Sequence, residues 1–296
     1  MTHLRKQRRG FTLIELAAVL TVSTVLFSLA SPAIQTARET ARRSACKNKL
    51  KQIGLAVRNY NDVYRRFPPG WTGHHAVAGA EARYGWSMSL TWYLGEVDVA
   101  DQINFSDQRP RLSEVTQTGL PAFRCPSDTT EVLNPLRGNF GTSNYSANFG
   151  STAPPRWLDA GMSANWPGQA ATLRKTDGIC WWNSGCRFRD IIDGTSNTLM
   201  VGERSVASAA GIWMGVRGNN FESDQVTDCS PGNEINSGEG SFSSTHKGGA
   251  QFALCDGSVR FISEKIESGI STGRAGLPKI FQRLGSRQDG LPISEF

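Results

Sequence analysis

The hydrophobic and polar positions of the first 32 residues predict a membrane-spanning helix. Residues 1–10 are polar and basic, whereas the twenty residues from Phe11 to Ala30 are largely apolar and contain a single charge, Glu15. A helix rises about 1.5 Å per residue, so this run is long enough to cross the ~30 Å hydrocarbon core of a bilayer. We therefore expect residues 11–32 to form the transmembrane half of a helix.

The pattern then changes to that of an amphipathic helix. Pro32 cannot donate a backbone hydrogen bond, which predicts a kink at that point. Apolar side chains recur at three- and four-residue steps as far as Tyr64, and Phe67-Pro68-Pro69-Gly70 predicts the end of the helix. Residues 33–66 are therefore expected to form the amphipathic half, which packs against the region that follows it.

Residues 67–296 read as strands separated by loops. The clearest element is a hairpin between Gly249 and Ile262, where two alternating apolar runs flank Asp256-Gly257. Gly, Ser, Asn and Pro are plentiful, which favours a loop-rich domain over a helical bundle. The expected fold class is α+β, pilin-like, with a long N-terminal helix packed on an antiparallel β-sheet.

The net charge of +6 does not predict nucleic-acid binding. Four of the basic side chains lie in residues 1–10, and without them the net charge is +2. A second basic cluster runs from Arg38 to Lys51, so the remaining chain is close to neutral or slightly acidic. This cluster is either a solvated helix face or a contact with anionic lipid headgroups, and the solvated face is the simpler interpretation.

The six cysteines do not identify a metal motif by their spacing. Six cysteines allow 15 pairings, and the sequence does not choose among them. Cys180 and Cys186 are spaced for a small local loop. If most of the chain is exported, at least one disulfide is expected.

The first residues resemble the signal of type IV prepilins and type II secretion pseudopilins. A basic leader is followed in register by Gly10-Phe11-Thr12-Leu13-Ile14-Glu15 and the apolar run. The resemblance implies that a prepilin peptidase cuts after Gly10 and methylates Phe11. It also implies that Glu15 pairs with the free amine of a neighbouring subunit during assembly, since a carboxylate in lipid is costly without a partner. The alternative for Glu15 is a tolerated charge at the membrane edge.

Several later segments resemble a single family, the DUF1559 proteins, which are bacterial prepilin-like proteins with an H-X9-DG motif. The segments are Cys46–Ala56, Phe123–Asp128, Ser143–Gly150, Phe188–Leu199, Gly202-Glu203, and His246 followed nine residues later by Asp256-Gly257. The resemblance implies an envelope protein of pseudopilin type, and it supplies no catalytic residues.

The H-X9-DG motif has two interpretations. Asp256 and Gly257 have the chemistry of a tight turn that needs positive φ angles. His246 and Asp256 could instead form a metal-binding or hydrogen-bonded pair. We favour a structural role in which a His246–Asp256 hydrogen bond fixes the loop before the strand.

A short loop presents Asp190, Asp193 and Asn197, whose side-chain oxygens are of the type that calcium binds. The spacing does not fit an EF-hand. The alternative, which we prefer, is an array of Asx turns or a helix cap. No cofactor is expected, with calcium as the alternative.

The sequence does not predict an enzyme. It lacks a P-loop, a dinucleotide fingerprint and a metalloprotease histidine pair; His74 and His75 are adjacent. Five tryptophans could instead form an aromatic platform for a glycan, although core packing is the commoner role. They are Trp157, Trp166, Trp181, Trp182 and Trp213.

We therefore expect a pseudopilin-like or minor-pilin-like structural subunit of a type II secretion or type IV pilus system. The expected domains are a leader at 1–10, helix halves at 11–32 and 33–66, and an extracytoplasmic domain at 67–296. Basic residues before the apolar run predict a single-pass inner-membrane protein whose C-terminal bulk faces outward. The alternative is an exported binding module that uses the helix only as an anchor, and the least favoured class is an extracytoplasmic hydrolase.

Overall fold

The structure is a computed structural model that describes residues 12–72, 83–103, 113–152, 176–216, 224–270, 276–293 and 296. The chain forms two compact units, residues 1–43 and residues 44–296. One continuous helix, α1 (Leu13–Tyr64), contributes its first 31 residues to the first unit and the rest to the second. The predicted cleavage site, Gly10-Phe11, lies outside the described residues.

The first unit exposes its apolar side chains. An 18-residue window of this part of α1 has a mean hydropathy of 2.1, and none of it is buried. Leu13 and Phe27 are 88% and 77% exposed. By length and composition this segment can cross a membrane, as its pattern predicts. Pro32 lies inside the helix, and α1 continues through it.

The second half of α1 is packed along one face. Its buried positions follow a four- and three-residue alternation through Cys46, Leu50, Ile53, Val57 and Tyr60. This spacing keeps the side chains on one stripe, because an α-helix has 3.6 residues per turn. Packing begins at Cys46, and residues 44–64 belong to the same compact unit as the domain that follows.

A five-stranded sheet forms the centre of the second unit, with the strand order β10-β9-β5-β4-β8. The strands are β4 (Tyr145–Gly150), β5 (Leu199–Glu203), β8 (Val226–Asp228), β9 (Gly249–Leu254) and β10 (Val259–Ser263). The α+β prediction is confirmed. The sheet is not purely antiparallel, however, because β8 pairs with β4 in the parallel direction.

Shorter elements surround this sheet. The other strands in the part of the chain that the structure describes are β1 (Arg83–Tyr84), β2 (Leu133–Asn134), β3 (Phe140–Ser143), β6 (Gly211–Ile212) and β7 (Gly215–Val216). Short α-helices of the described residues are α2 (Val97–Asp101) and α3 (Ile280–Gly285). Single-turn 3-10 helices lie at Met88–Leu90, Trp92–Leu94, Pro121–Phe123, Pro135–Arg137, Phe188–Asp190 and Val206–Ser208.

Both faces of the central sheet are buried, which is why β4, β5 and β9 contain no exposed position. Successive side chains of a strand point to opposite faces. In β9, Ala253 joins the core that contains Leu50 and Ile53 of α1. Its neighbour Phe252 joins a second core with Phe281 of α3.

Candidate functional site

Four side chains from distant parts of the chain meet inside the second unit: Cys46, Cys125, Glu203 and His246. One donor atom from each lies within 4.8 Å of the donor atoms of the other three. Their exposed fractions are 0%, 5%, 2% and 2%. Among the described residues, no other group of three or more His, Cys, Asp or Glu side chains has such spacing. We call these four residues the Cys-Glu-His cluster.

The two cysteines of the cluster form a disulfide. Cys46 lies on α1 and Cys125 follows the Pro121–Phe123 turn, with their Cα atoms 5.3 Å apart. The bond joins positions 79 residues apart in the sequence. Lys49, one turn further along α1, donates a hydrogen bond to the carbonyl oxygen of Pro121, so the same contact is held at two points.

His246 turns its Nε2 atom toward the rest of the cluster. This atom lies 3.8 Å from the sulfur of Cys125 and 3.8 Å from Oε1 of Glu203. Hydrogen bonds on the preceding residues fix its position. Thr245 donates its hydroxyl to the carbonyl of Ser127 at 3.1 Å, and the N–H of Ser243 donates to the carbonyl of Glu203 at 2.9 Å.

The end of β5 holds Glu203 in place. Its Oε2 atom accepts a hydrogen bond of 2.8 Å from the backbone N–H of Gln251 on the neighbouring strand β9. Tyr145 is its cross-strand partner on β4. Burial, and secondly the charge of Glu203, raise the pKa of the Tyr145 phenol well above its usual value. The cluster therefore lies in a dry environment with one carboxylate and one neutral phenol.

Close packing around Gly202 explains why the residue before Glu203 is a glycine. A Cβ atom at this position would lie 2.5 Å from a ring carbon of Phe252 and 2.6 Å from one of Phe242. No larger side chain fits without moving two buried rings. The Gly202-Glu203 pair therefore combines close packing on one face of β5 with a carboxylate on the other.

Asn144 connects two of the segments that contribute to the cluster. Its Oδ1 atom accepts a hydrogen bond of 3.0 Å from the N–H of Cys125. Its backbone donates to the carbonyl of Phe123 at 2.8 Å and accepts from the N–H of Arg204 at 2.7 Å. The Ser143–Gly150 segment thus positions both Cys125 and the residue after Glu203.

The structure separates the two ends of the H-X9-DG motif. His246 precedes β9 and Asp256 follows it, and a six-residue strand spans roughly 20 Å. The expected His246–Asp256 pair is therefore wrong, and Glu203 lies beside His246 instead. The nine-residue spacing reflects the length of the loop and strand between the two residues.

Asp256 and Gly257 form the hairpin turn. Oδ1 of Asp256 accepts a hydrogen bond from the N–H of Ser258 at 2.8 Å, and Gly257 has a φ of +84°. Leu254 bonds to both Gly257 and Ser258, so the loop has three residues, Cys255 to Gly257. A left-handed angle is needed only at the glycine, which is typical of a three-residue loop rather than a two-residue one.

The three candidate calcium ligands make separate structural hydrogen bonds. Asp193 accepts the backbone N–H groups of Asp289 and Gly290 at 2.7 and 2.8 Å. Asp190 accepts the N–H of Arg187 at 2.9 Å, and the Asn197 amide donates to the carbonyl of Asp193 at 3.2 Å. The Asp190 and Asn197 contacts are local bonds of the cap and turn type, whereas Asp193 binds a segment almost a hundred residues away.

The other four cysteines, Cys180, Cys186, Cys229 and Cys255, are buried free thiols. Cys180 and Cys186 do not close the local loop that their spacing allows. Burial raises the pKa of Cys186 to about 12, and it raises the pKa of Cys255 well above its usual value. These thiols are therefore inert core side chains near neutral pH.

Three of the five candidate platform tryptophans lie in the described residues, and two of these are core side chains. Trp182 and Trp213 are 5% and 0% exposed, and the indole N–H of Trp213 donates to the carbonyl of Thr118 at 2.7 Å. Trp181 is half-buried beneath the guanidinium of Arg287, which lies 4.9 Å from its ring centre. Trp157 and Trp166 lie outside the described residues. Core packing, the role preferred from the sequence, is therefore confirmed for Trp182 and Trp213.

A different set of aromatic side chains lines an open cavity of about 680 Å³. Its lining includes Tyr60 and Tyr64 at the end of α1, together with Trp92 and Tyr93 on the second single-turn helix. Trp92 is 50% exposed and Tyr64 52%. Ser89 adds a hydroxyl to this surface.

In the first unit, Glu15 caps the helix that contains it. The N–H of Thr12 donates to Oε2 of Glu15 at 2.8 Å, and the N–H of Glu15 donates back to the Thr12 hydroxyl at 3.3 Å. These reciprocal bonds form a capping box and define where α1 begins. The sequence interpretation considered membrane assembly for Glu15 and missed this local role, although Thr12-x-x-Glu15 is a recognisable capping pattern.

Sequence reasoning also missed the disulfide pairing and the role of Glu203. Each residue of the Cys-Glu-His cluster nevertheless lies in a different one of the motif segments, namely Cys46–Ala56, Phe123–Asp128, Gly202-Glu203 and the H-X9-DG motif. The signal that could have found the site was the presence of one metal-ligating residue type in each segment.

Two family models match the chain, one at its N-terminus and one over most of the remaining length. A family described as "Protein of unknown function (DUF1559)" matches residues 35–269. The prokaryotic N-terminal methylation motif matches residues 5–31. Searches of curated proteins and of solved structures gave no match. The methylation motif implies processing by a prepilin peptidase and a membrane-associated, pilin-like protein. The chain therefore belongs to the DUF1559 family and has the N-terminus of a prepilin-type protein.

Proposed function

We propose that the protein is a pseudopilin-like or minor-pilin-like structural subunit of a type II secretion or type IV pilus-like assembly. It is cut after Gly10, methylated at Phe11, and assembled through the first half of α1 with other pilin-like subunits. The observation that carries the proposal is that a methylation motif runs directly into a helix whose first half exposes its apolar side chains. The proposal includes no catalytic step.

The exposed apolar half of α1 supports assembly through helix packing. A 52-residue helix is much longer than one membrane crossing requires. Residues 13–30 suit lipid or the apolar faces of neighbouring helices, and only Glu15 adds a charge. A carboxylate there favours a position beside a cationic partner, such as the amine that cleavage before Phe11 exposes.

The Cys46–Cys125 disulfide supports an extracytoplasmic location for the second unit. Disulfides persist in oxidising compartments and are rare in the cytosol. The basic side chains before Phe11 favour the same orientation, because positive residues remain on the cytoplasmic side. The proposed topology is a single-pass inner-membrane protein with the second unit, residues 44–296, outside the cytoplasm.

The assembly role is tested by Glu15→Ala in membranes that contain the prepilin peptidase. Chemical crosslinking of the wild type should give a ladder of multimers, and the variant should lose the ladder while it is still cut after Gly10. Glu39→Ala is the matched control, because Glu39 is an exposed carboxylate on the same helix that pairs with Arg42 at 2.7 Å. A Glu15→Ala ladder equal to that of the wild type would contradict assembly and favour a simple anchor.

The aromatic cavity favours a second candidate function, a membrane-anchored module that binds carbohydrate. Sugars stack their apolar faces on aromatic rings, and Trp92 and Tyr64 offer exposed rings beside the hydroxyl of Ser89. Titration of the full chain with soluble chitin and β-glucan oligosaccharides tests this role. Trp92→Ala should abolish binding and Trp181→Ala should leave it unchanged; equal binding by both variants and the wild type would rule out the cavity as the site.

A further inference from the structure

The donor atoms of the Cys-Glu-His cluster have the chemistry of a zinc site. Two sulfurs, one imidazole nitrogen and one carboxylate oxygen are the ligand types that Zn²⁺ selects in tetrahedral sites. A zinc ion bound at about 2.3 Å to sulfur and 2.0–2.1 Å to nitrogen holds those two donors ~3.5 Å apart. The observed separation of Cys125 Sγ and His246 Nε2 is 3.8 Å, and that of His246 Nε2 and Glu203 Oε1 is also 3.8 Å.

We propose that Cys46, Cys125, Glu203 and His246 bind one zinc ion when the cysteines are reduced, and that disulfide formation expels the ion. The structure shows the oxidised state, in which neither sulfur is available as a thiolate. The proposal makes the cluster a redox-controlled metal site in the reduced chain and a covalent link between α1 and the Cys125 loop in the oxidised chain.

Electrons and protons are conserved in both directions of the exchange between disulfide and zinc site. A dithiol reductant transfers two electrons and two protons to the Cys46–Cys125 bond, which gives two thiols while the reductant becomes a disulfide. Zinc binding by both thiols then releases two protons, because the metal binds thiolates. In the reverse direction an oxidant of the disulfide class takes two electrons from the thiolates, the S–S bond forms, and Zn²⁺ leaves.

The movement required is small. The two sulfurs must separate from bonding distance to about 3.8 Å, the edge of a tetrahedron with Zn–S bonds of 2.3 Å. Rotation of two cysteine side chains achieves this without moving α1, since the Cα atoms of Cys46 and Cys125 are already 5.3 Å apart. Nε2 of His246 and Oε1 of Glu203 are already 3.8 Å apart, and every donor pair in the cluster lies within 4.8 Å, so the longest separations must close by about 1 Å.

Neighbouring groups hold Glu203 and Cys125 in position through hydrogen bonds, as the outer contacts of a metal site do. The N–H of Gln251 orients the Glu203 carboxylate, and the amide oxygen of Asn144 holds the backbone at Cys125. Such outer contacts set ligand orientation and commonly change metal affinity 10–100-fold. The hydroxyl of Tyr145, the cross-strand partner of Glu203, is buried and has no hydrogen-bond partner among the described residues.

The donor set favours zinc over calcium or magnesium. Hard cations select oxygen ligands, whereas the cluster offers two sulfurs and a nitrogen. The Asp190–Asn197 loop differs from the cluster because its candidate donors are oxygens. Asp190 and Asp193 already accept hydrogen bonds from backbone N–H groups.

The test uses the full chain in detergent, reduced with a phosphine, incubated with zinc and freed of unbound metal. Metal analysis should give about one zinc per reduced chain and none for the oxidised chain. Cobalt replacing zinc should show the visible bands of a tetrahedral ion together with thiolate charge transfer. His246→Gln should weaken binding at least ~10-fold, while its oxidised form should keep the disulfide and unfold as the wild type does.

The control is the Cys180→Ser, Cys186→Ser double variant, which removes two buried thiols outside the cluster and should still bind zinc. Cys46→Ser with Cys125→Ser removes the two proposed ligands and should bind none. Zinc content in the reduced wild type no higher than in that pair of substitutions would overturn the proposal. So would zinc binding that survives His246→Gln unchanged or that disappears in the Cys180 and Cys186 variant.

Discussion

The two halves of α1 have the same secondary structure and opposite environments. In residues 13–43 the large apolar side chains are exposed, with Leu26 at 61% and Phe27 at 77%. In residues 44–64 Leu50 and Ile53 are completely buried. Exposed apolar surface of this extent marks a segment that contacts lipid or other chains. The helix therefore combines a segment made for a membrane or an assembly with a segment that belongs to the folded domain.

Both parts of α1 have the same helical conformation, so the distribution of polar side chains is what distinguishes their roles. Residues 13–30 are apolar on every side apart from Glu15, whereas residues 44–64 have a buried stripe and an exposed polar face. The change from exposed to buried side chains lies near Cys46, where the disulfide joins α1 to the Cys125 loop. Perturbations on the two sides of this point should therefore have different consequences.

The largest effect should come from removing the disulfide with Cys46→Ser and Cys125→Ser. Closing a loop of 79 residues constrains the unfolded chain, and its loss costs about 4 kcal/mol. Guanidinium unfolding of the full metal-free chain in detergent measures the change. Cys229→Ser, a buried free thiol, should cost clearly less; an equal loss would mean that the link is not what stabilises this end of the domain.

A matched pair of leucines in α1 tests the comparison directly. Leu50→Ala leaves a cavity in the first core and should lower the free energy of unfolding of the second unit by about 3 kcal/mol. Leu26→Ala, 61% exposed, should change it by less than about 0.5 kcal/mol. Similar losses at both positions would contradict the division of the helix.

A smaller effect should follow from adding one methyl group to the sheet. Gly202→Ala places a Cβ atom against Phe252 and Phe242 and should cost about 2 kcal/mol through overpacking. Gly185→Ala is the control, since only the Arg66 side chain lies nearby, at 3.9 Å. Thermal unfolding of the two variants compares them, and an unchanged Gly202→Ala would mean that β5 is less tightly packed than described.

Sequence patterns predicted the elements whose determining residues lie close together in the sequence. The end of α1 at Tyr64 follows from its apolar stripe and the Phe67–Gly70 breaker, and the structure places it there. The hairpin around Asp256-Gly257 was also predicted, although its loop has three residues because only Gly257 needs a positive φ. In both cases the determining residues lie within one or two turns of each other.

Long-range partners could not be predicted in this way. Nothing within Cys46–Ala56 indicates that Cys46 meets Cys125, and the parallel pairing of β8 with β4 depends on the whole sheet. His246 illustrates the limit, because sequence proximity suggested Asp256 while the fold supplied Glu203. Periodicity reports which face of an element is buried, and it carries no information about which element covers that face.

The mature N-terminus distinguishes a prepilin-type protein from one with a conventional secretory signal. The chain is produced together with a prepilin peptidase, and intact-mass and peptide mass spectrometry identify its first residue. The account predicts cleavage between Gly10 and Phe11 with a methyl group on Phe11, and it predicts that a Gly10→Val chain remains uncut. An N-terminus near Ser31, as a conventional secretory signal would give, would remove the exposed half of α1 and contradict the account.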